Sequence, residues 1–495
     1  MAGSSLPRRV AGVAAGALPP AARQLLRRRL GHRLGIPGAD VGLVSVVVVC
    51  DVRDLPRLPL ALESVLGQSH AHLELLLCPV AEAVDAFAPV VETVRDVRVR
   101  VHADEPTWAA AAAAGVHAAR GDFLLFLRGC DLLPPEALSR AVASLTTSGS
   151  ALAAGRLEQA GDPEPWLERS QCELHARHRV EVEPLTDLDL AGDLAIGSKL
   201  VRRSTWLASG SRFDATDDWL ASPTIARLLR TVDRVDVLDV ATYTFAPDHG
   251  RRPFGATPDP LPGLPAWRQR VDAVERALAG SPLAEGWDRH VVATELPRLL
   301  QETERATPEQ WAELRGLAAS YAEHPSALAH AGAAARALVW LAAQDRRADV
   351  ETMADQVAAL GDDVPTRVEG AEVLAGWSGV QLPADVRRLS EDETALRTHV
   401  QRVRGADDGR EVDILVELRH VDLGDPAPNV DAWTDDGDEL PVQQLPGTEA
   451  TRWAGRRFQR AVGVRVRLPD DEPVALLLAV SAGEIVRTGR VSVPA

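Results

Sequence analysis

The stretch Gly121–Pro135, GDFLLFLRGCDLLPP, constrains this chain more than any other. Phe123 to Leu127 is an unbroken apolar run. It is too short for a helix buried on every side, and it predicts a central strand covered on both faces. The run stops in Arg128-Gly129-Cys130-Asp131, and Pro134 and Pro135 then open a helix whose positive end Glu136 favours. A buried strand ending in a polar turn before a helix delivers its last side chains to the carboxyl edge of an α/β sheet, where open sheets bind ligands. Any chemistry is expected to converge there.

The flanking sequence repeats the pattern. Leu43–Val49 is a second buried-strand run, rich in stiff β-branched residues. Pro59–Leu66 predicts a helix with Leu62, Val65 and Leu66 inward and Gly67 as its stop, and Leu73–Leu77 is the next strand. Val97, Val99 and Val101 alternate with Arg98 and Arg100, as on an edge strand. Thr107 caps an alanine-rich helix that closes near Gly121. Strands alternating with helices over short links imply a parallel sheet wound by right-handed crossovers. Val235–Phe245 reads as a strand pair that completes this domain. Cys172, His175 and His178 are spaced so that they drift round a helix, which predicts an ordinary amphipathic surface helix.

Three segments carry a resemblance to a known family. VSVVVVCDVRDLPRLPLALESVLGQSHAHLELLLC, then AAAAAAGVHAARGDFLLFLRGCDLLPPEAL, and later GSKLVRRSTWLASGSRFDATDDW resemble, in order and spacing, the family 2 glycosyltransferases of GT-A fold, from about Val44 to Phe245. The resemblance implies sugar transfer from a nucleotide-sugar donor by an inverting mechanism. Asp217 and Asp218 match the family's Glu-Asp pair, whose second member is the catalytic base, so Asp218 is the leading catalytic candidate. The alternative role for Asp218 is to cap a helix beginning near Trp219. Asp51, Arg128 and Asp131 fall on the donor side, and Lys199, in Gly197-Ser198-Lys199-Leu200, falls on the acceptor side, where it pairs with an acid.

The departures lie on the donor side. The family holds Mg²⁺ or Mn²⁺ against the donor diphosphate with an Asp-x-Asp motif, and those positions are Arg128 and Cys130 here, leaving Asp131 as the remaining acid for a metal. Hard cations need oxygen ligands, so a guanidinium and a thiol are no substitutes. Cys78-Pro79 stands where acids read the uridine, and Ala112-Ala113 where an Arg-Asn pair faces the donor. Two readings follow. Arg128 neutralises the diphosphate itself, as cations do in metal-independent transferases, or the scaffold has become a catalytically inactive binder of polymer or of a partner transferase. Cys50, Cys78 and Cys130 end adjacent strands, either as space-fillers or as a soft-metal site.

The rest of the chain bounds the partners. Residues 1–36 hold seven arginines and no acid, while the whole carries a net charge of -17. The acidic body excludes nucleic acid as the main partner. Residues 1–40 form a basic arm in which Ala21–Leu34 reads as a short helix, either lying on an anionic membrane or solvated. Arg8-Arg9 before Val10–Ala17 resembles a secretion signal, read as uncleaved. No run reaches the roughly 18 apolar residues of a spanning helix, and four scattered cysteines suit a reducing compartment. The expected location is cytoplasmic, peripheral at the inner face of the membrane. Domain boundaries are expected at 41–248 for the transferase-like domain, 249–265 for a Pro/Gly linker, 266–390 for an α-helical bundle and 391–495 for an antiparallel β-sandwich. His249, Arg251 and Arg252 either close over a diphosphate or are a solvated loop. Trp433 and Trp453 are either core indoles or a sugar-stacking platform. By resemblance, this three-part layout is that of bacterial cell-wall polymer glycosyltransferases, with a cell-envelope glycopolymer as acceptor and a terminal β module for homo-oligomerisation or polymer binding.

Overall fold

The computed structural model describes residues 42–493 apart from 81–83, 162–170, 172, 214–216, 218, 220, 247–260, 262, 361–363, 407–408, 419, 422–427, 447–449, 454–455, 460 and 469–473. The basic arm, Cys172, Asp218, His249, Arg251 and Arg252 therefore lie outside the described residues. The chain forms two compact units that meet in sequence at Trp287–Asp288.

The first unit is built on one sheet. Its strands are β1 (Val44–Cys50), β2 (Leu73–Pro79), β3 (Val99–Val101), β4 (Phe123–Arg128), β5 (Leu152–Gln159), β6 (Arg179–Val182), β7 (Lys199–Arg202) and β8 (Val235–Phe245), in the order β3-β2-β1-β4-β7-β5-β8-β6. β1 and β2 are buried at every residue, which is why their sequences show no alternation. β3, β2, β1 and β4 run parallel, and β7 enters antiparallel between β4 and β5. Helices α1 (Leu58–Leu66), α2 (Val84–Val94), α3 (Trp108–Ala118) and α4 (Ala137–Ser148) make the crossovers. α3 starts as expected, with the Thr107 hydroxyl accepting the Ala110 N–H at 3.2 Å. Leu58, Leu62 and Val65 of α1 pack with Val46, Val48 and Leu127 on one face of the sheet.

Three local expectations are corrected. Val235–Phe245 is one strand rather than a pair, and near its start Asp236 is buried, accepting from Ser144 at 2.5 Å, Ser148 at 2.7 Å and the Glu181 N–H at 3.0 Å. His175 does not lie on a surface helix. It is buried, with Nδ1 2.8 Å from the Leu238 carbonyl and Nε2 3.2 Å from Asp193 Oδ2. The helix expected near Trp219 begins instead at Pro223, capped by Ser222, as α5 (Pro223–Leu229).

The second unit opens with helices, among them α6 (Pro308–Ala322), α7 (Ala333–Ala343) and α8 (Arg347–Leu360). The chain leaves helical geometry at Ala331–Gly332 just before α7, and a short hairpin of β9 (Thr366–Glu369) and β10 (Glu372–Ala375) follows α8. Two antiparallel sheets complete the unit. One joins β11 (Leu396–Ala406) and β12 (Gly409–Leu418) to two later strands, β13 (Val442–Gln444) and β14 (Ala461–Leu468). The other joins a hairpin pair, Asn429–Thr434 and Glu439–Leu440, to Val474–Ala482 and Ile485–Val493. Val412, Ile414, Val416 and Leu418 are buried while Leu415 and Glu417 between them are partly exposed, the period-2 pattern of a sheet with one inner face, and Asp413 departs from it, buried in a hydrogen-bonded pair with Arg465.

Candidate active site

β1, β2 and β4 end together, with Cys50 level with Pro79 and Val49 level with Arg128. Two tight turns leave this edge. After β1, Asp51 caps a single turn over Val52–Asp54: its carboxylate accepts the Arg53 N–H at 2.8 Å, and Asp54 reaches back to the Asp51 N–H at 2.9 Å. The Arg53 side chain also clasps Asp51, and that hydrogen bond holds the Asp51 carboxyl below its ordinary range. After β4, Gly129 passes so near β1 that a Cβ there would lie 2.5 Å from Cys50 Cβ and 3.0 Å from Asp54 Cβ. Only glycine fits.

Arg128 stands between the two turns. Its guanidinium is 3.9 Å from Asp54 Oδ1, and its side chain is 22% exposed. Burial alone would weaken its charge, but Asp131 and Asp54 outweigh that and hold it firmly cationic. Asp131 is wholly enclosed. Its Oδ2 accepts from the Tyr243 hydroxyl at 2.6 Å and its Oδ1 from the Ala246 N–H at 2.9 Å. Burial raises the pKa of both Asp131 and Asp54. Paired backbone bonds between Leu132 and Thr244, at 2.8 and 2.9 Å, sew the turn after β4 to the end of β8. Gly197 serves the same junction, since a Cβ on it would come 2.2 Å from the Tyr243 ring.

A divalent cation, implied by the resemblance, does not fit these residues. The two motif positions offer a guanidinium and a buried thiol, and both oxygens of Asp131 already accept hydrogen bonds. Among the described residues no group of three His, Cys, Asp or Glu side chains could hold a metal ion. The thiols do not converge either. Cys50 packs with Val46 and Val48 on one face, whereas Cys78 lies beside Gly115 and Val47 on the other. Burial pushes the Cys78 thiol up to about 12 and the Cys50 thiol higher still, so both are neutral fillers of apolar space.

The acceptor-side residues are also placed. Asp217 is buried, accepting from the Ser222 hydroxyl at 2.6 Å, the Thr224 hydroxyl at 2.8 Å and the Thr224 N–H at 3.0 Å. Lys199 donates to Asp193 Oδ2 and to the Ser198 hydroxyl, both at 2.8 Å. With His175 this makes a dry cluster in which none of the three side chains exceeds 2% exposure. Asp54, Tyr243 and Asp193 were not singled out by the sequence, and His175 was expected on a surface helix. Only Asp54 carried a local signal, the Asp51-x-x-Asp54 spacing of a reciprocal cap.

Residues 45–205 match the model of Glycosyl transferase family 2. This part of the chain is a family 2 glycosyl transferase domain. No curated protein is significantly similar to the chain in sequence. Among solved structures it is similar to S. aureus TarS, with a TM-score of 0.49 and 13% identity over 90% of this chain and 77% of that one. The crystal structure of TarS residues 1–349 aligns with a TM-score of 0.48 and 13% identity over 68% of this chain and 97% of that one. The same fragment in complex with UDP-GlcNAc gives 0.48 and 13% over 70% and 99%. The architecture is the expected one: a Rossmann-like GT-A sheet, then a helical region, then antiparallel β-sheets. No helix among the described residues is long and apolar enough to cross a membrane.

Proposed function

We propose that this protein is an inverting glycosyltransferase of bacterial cell-envelope glycopolymer synthesis, in which the Arg128 guanidinium takes the donor diphosphate in place of a divalent cation. One observation carries the reading: a permanently charged, partly exposed guanidinium stands at the end of β4, held by Asp54 where the family places its metal ligands. A guanidinium meets a diphosphate through paired charge-assisted hydrogen bonds, each worth about 1.5–3 kcal/mol. Asp51, fixed by its own turn, borders the donor, and Asp131 is the anchor that holds the turn after β4 rather than a ligand. Asp218 is the base, Asp217 a positioning residue bonded to Ser222 and Thr224 at the start of α5, and Lys199 a buried support on the acceptor side.

Calorimetry with UDP-GlcNAc, and with CDP- and GDP-sugars, with and without Mn²⁺, tests this. Saturable binding indifferent to the metal is expected, weakened about tenfold or more in Arg128→Met. Failure of every nucleotide-sugar to bind would defeat the proposal. Asp54→Asn gives a sign test. The amide still accepts the Asp51 N–H but removes one negative charge beside the diphosphate. A like charge removed within about 8 Å is worth about 2 kcal/mol at an effective dielectric near 20, so donor binding should tighten roughly thirtyfold. A metal-ligating carboxylate would give the opposite result, a loss of binding. Because burial raises the Asp54 pKa, the gain is full above that pKa and fades as falling pH protonates the native carboxyl.

The second reading, a non-catalytic scaffold, is favoured by one feature: Arg128 already faces two acids, Asp54 and Asp131. Nucleotide-sugar binding without transfer or hydrolysis would select it.

A further inference from the structure

A cavity lies in the second unit, beside the hairpin turn that follows Thr434. It occupies about 430 Å³, within the roughly 300–1,000 Å³ of small-ligand sites, and is lined by Trp433, Asp435, Gly437, Leu477, Thr488 and Arg490 among others. Ala432 is fully buried, so its neighbour Trp433 points to the outer face of its sheet. Strand register sets Glu439, Trp433, Leu477 and Arg490 side by side across four strands, with Asp431, Ala479 and Thr488 in the next row. Directly opposed residues share a face. The result is an indole beside Leu477 and Ala479, with the hairpin turn on one side and a guanidinium that reaches the acid of that turn. Arg490 and Asp435 stand 3.9 Å apart and are 74% and 49% exposed.

We propose that this face is a glycan-binding site, taking a pyranose unit of a neutral oligosaccharide or polysaccharide on the Trp433 ring. A pyranose has an apolar C–H face and a rim of hydroxyls. The indole supplies a flat apolar surface with a polar tip, and the Asp435, Arg490 and Thr488 side chains supply acceptors and donors around it. A second copy of the chain suits this face less. A stable interface buries roughly 800 Å² per partner around an apolar centre depleted of charge, whereas this face sets Trp433, Leu477 and Val486 among Asn429, Asp431, Ser481 and Arg490, so charge interrupts its apolar residues.

The test is calorimetry of the full chain with chitohexaose, cellohexaose and maltohexaose, none of which carries a nucleotide. At least one should bind. Trp433→Ala should weaken it at least about tenfold, Arg490→Met should weaken it less, and Trp433→Phe should retain part of the affinity. Thermal unfolding of the variants controls for folding. Absence of binding by all three hexaoses, or equal binding by folded Trp433→Ala, overturns the proposal. So does sedimentation showing an oligomer that Trp433→Ala dissociates. The site is separate from the donor edge, so its failure leaves the donor-site reading standing.

Discussion

Asp193→Ala is expected to destabilise the first unit by about 3–5 kcal/mol, the cost of stripping a buried ion pair of one partner. Among the described residues, Lys199 would keep only the Ser198 hydroxyl for its ammonium, and His175 only the Leu238 carbonyl. Burial alone would raise the Asp193 pKa, but Lys199 and His175 outweigh that and hold the carboxyl well below its usual range. The sign follows from linkage: a depressed carboxyl stabilises the fold above its unfolded value, near 3.9, and loses that contribution as pH falls through the lower folded value. The gap between native and variant protein should therefore be full at neutral pH and close only in strong acid. Urea denaturation followed by hydrogen exchange in β7 and β8 measures it locally. The double variant Asp193→Ala/Lys199→Met should recover part of the loss, and an unchanged Asp193→Ala protein would show that the cluster contributes nothing.

Asp218→Asn should lower the rate of sugar transfer by roughly 10²- to 10⁴-fold, the range for loss of a general base, with donor binding unchanged. Of the Asp217–Asp218 pair, Asp217 is committed: Ser222 and Thr224 take both its oxygens. Asp217→Asn should therefore act on stability, because an amide cannot accept from both sides, and reach activity only through misplacement of its neighbour. Rates at saturating acceptor separate the two variants. Transfer that survives in Asp218→Asn would remove the assigned base.

The sheet was legible because its central strands are buried on both faces. Val44–Cys50 and Phe123–Leu127 cannot be anything amphipathic, and Gly67 and Thr107 punctuate the helices between them. The β-sandwich was legible for the opposite reason, since one inner face imposes the alternation of Val412–Leu418. The site was legible only as a place. That Asp131 is an anchor depends on Tyr243 and Ala246, more than a hundred residues away. His175 meets Asp193 and Leu238 across 18 and 63 residues. Tertiary hydrogen bonds of that span leave no periodicity to read.

Lys199 is the chain's single lysine, and it is spent in the core. Every other cationic side chain that stays ionised at neutral pH is an arginine. Amine-directed reagents, and enzymes that acylate or ubiquitinate lysine, therefore find no side chain on the surface of the folded protein. The same ammonium becomes reactive once β7 opens, so its acylation reports opening of the first unit without an introduced label.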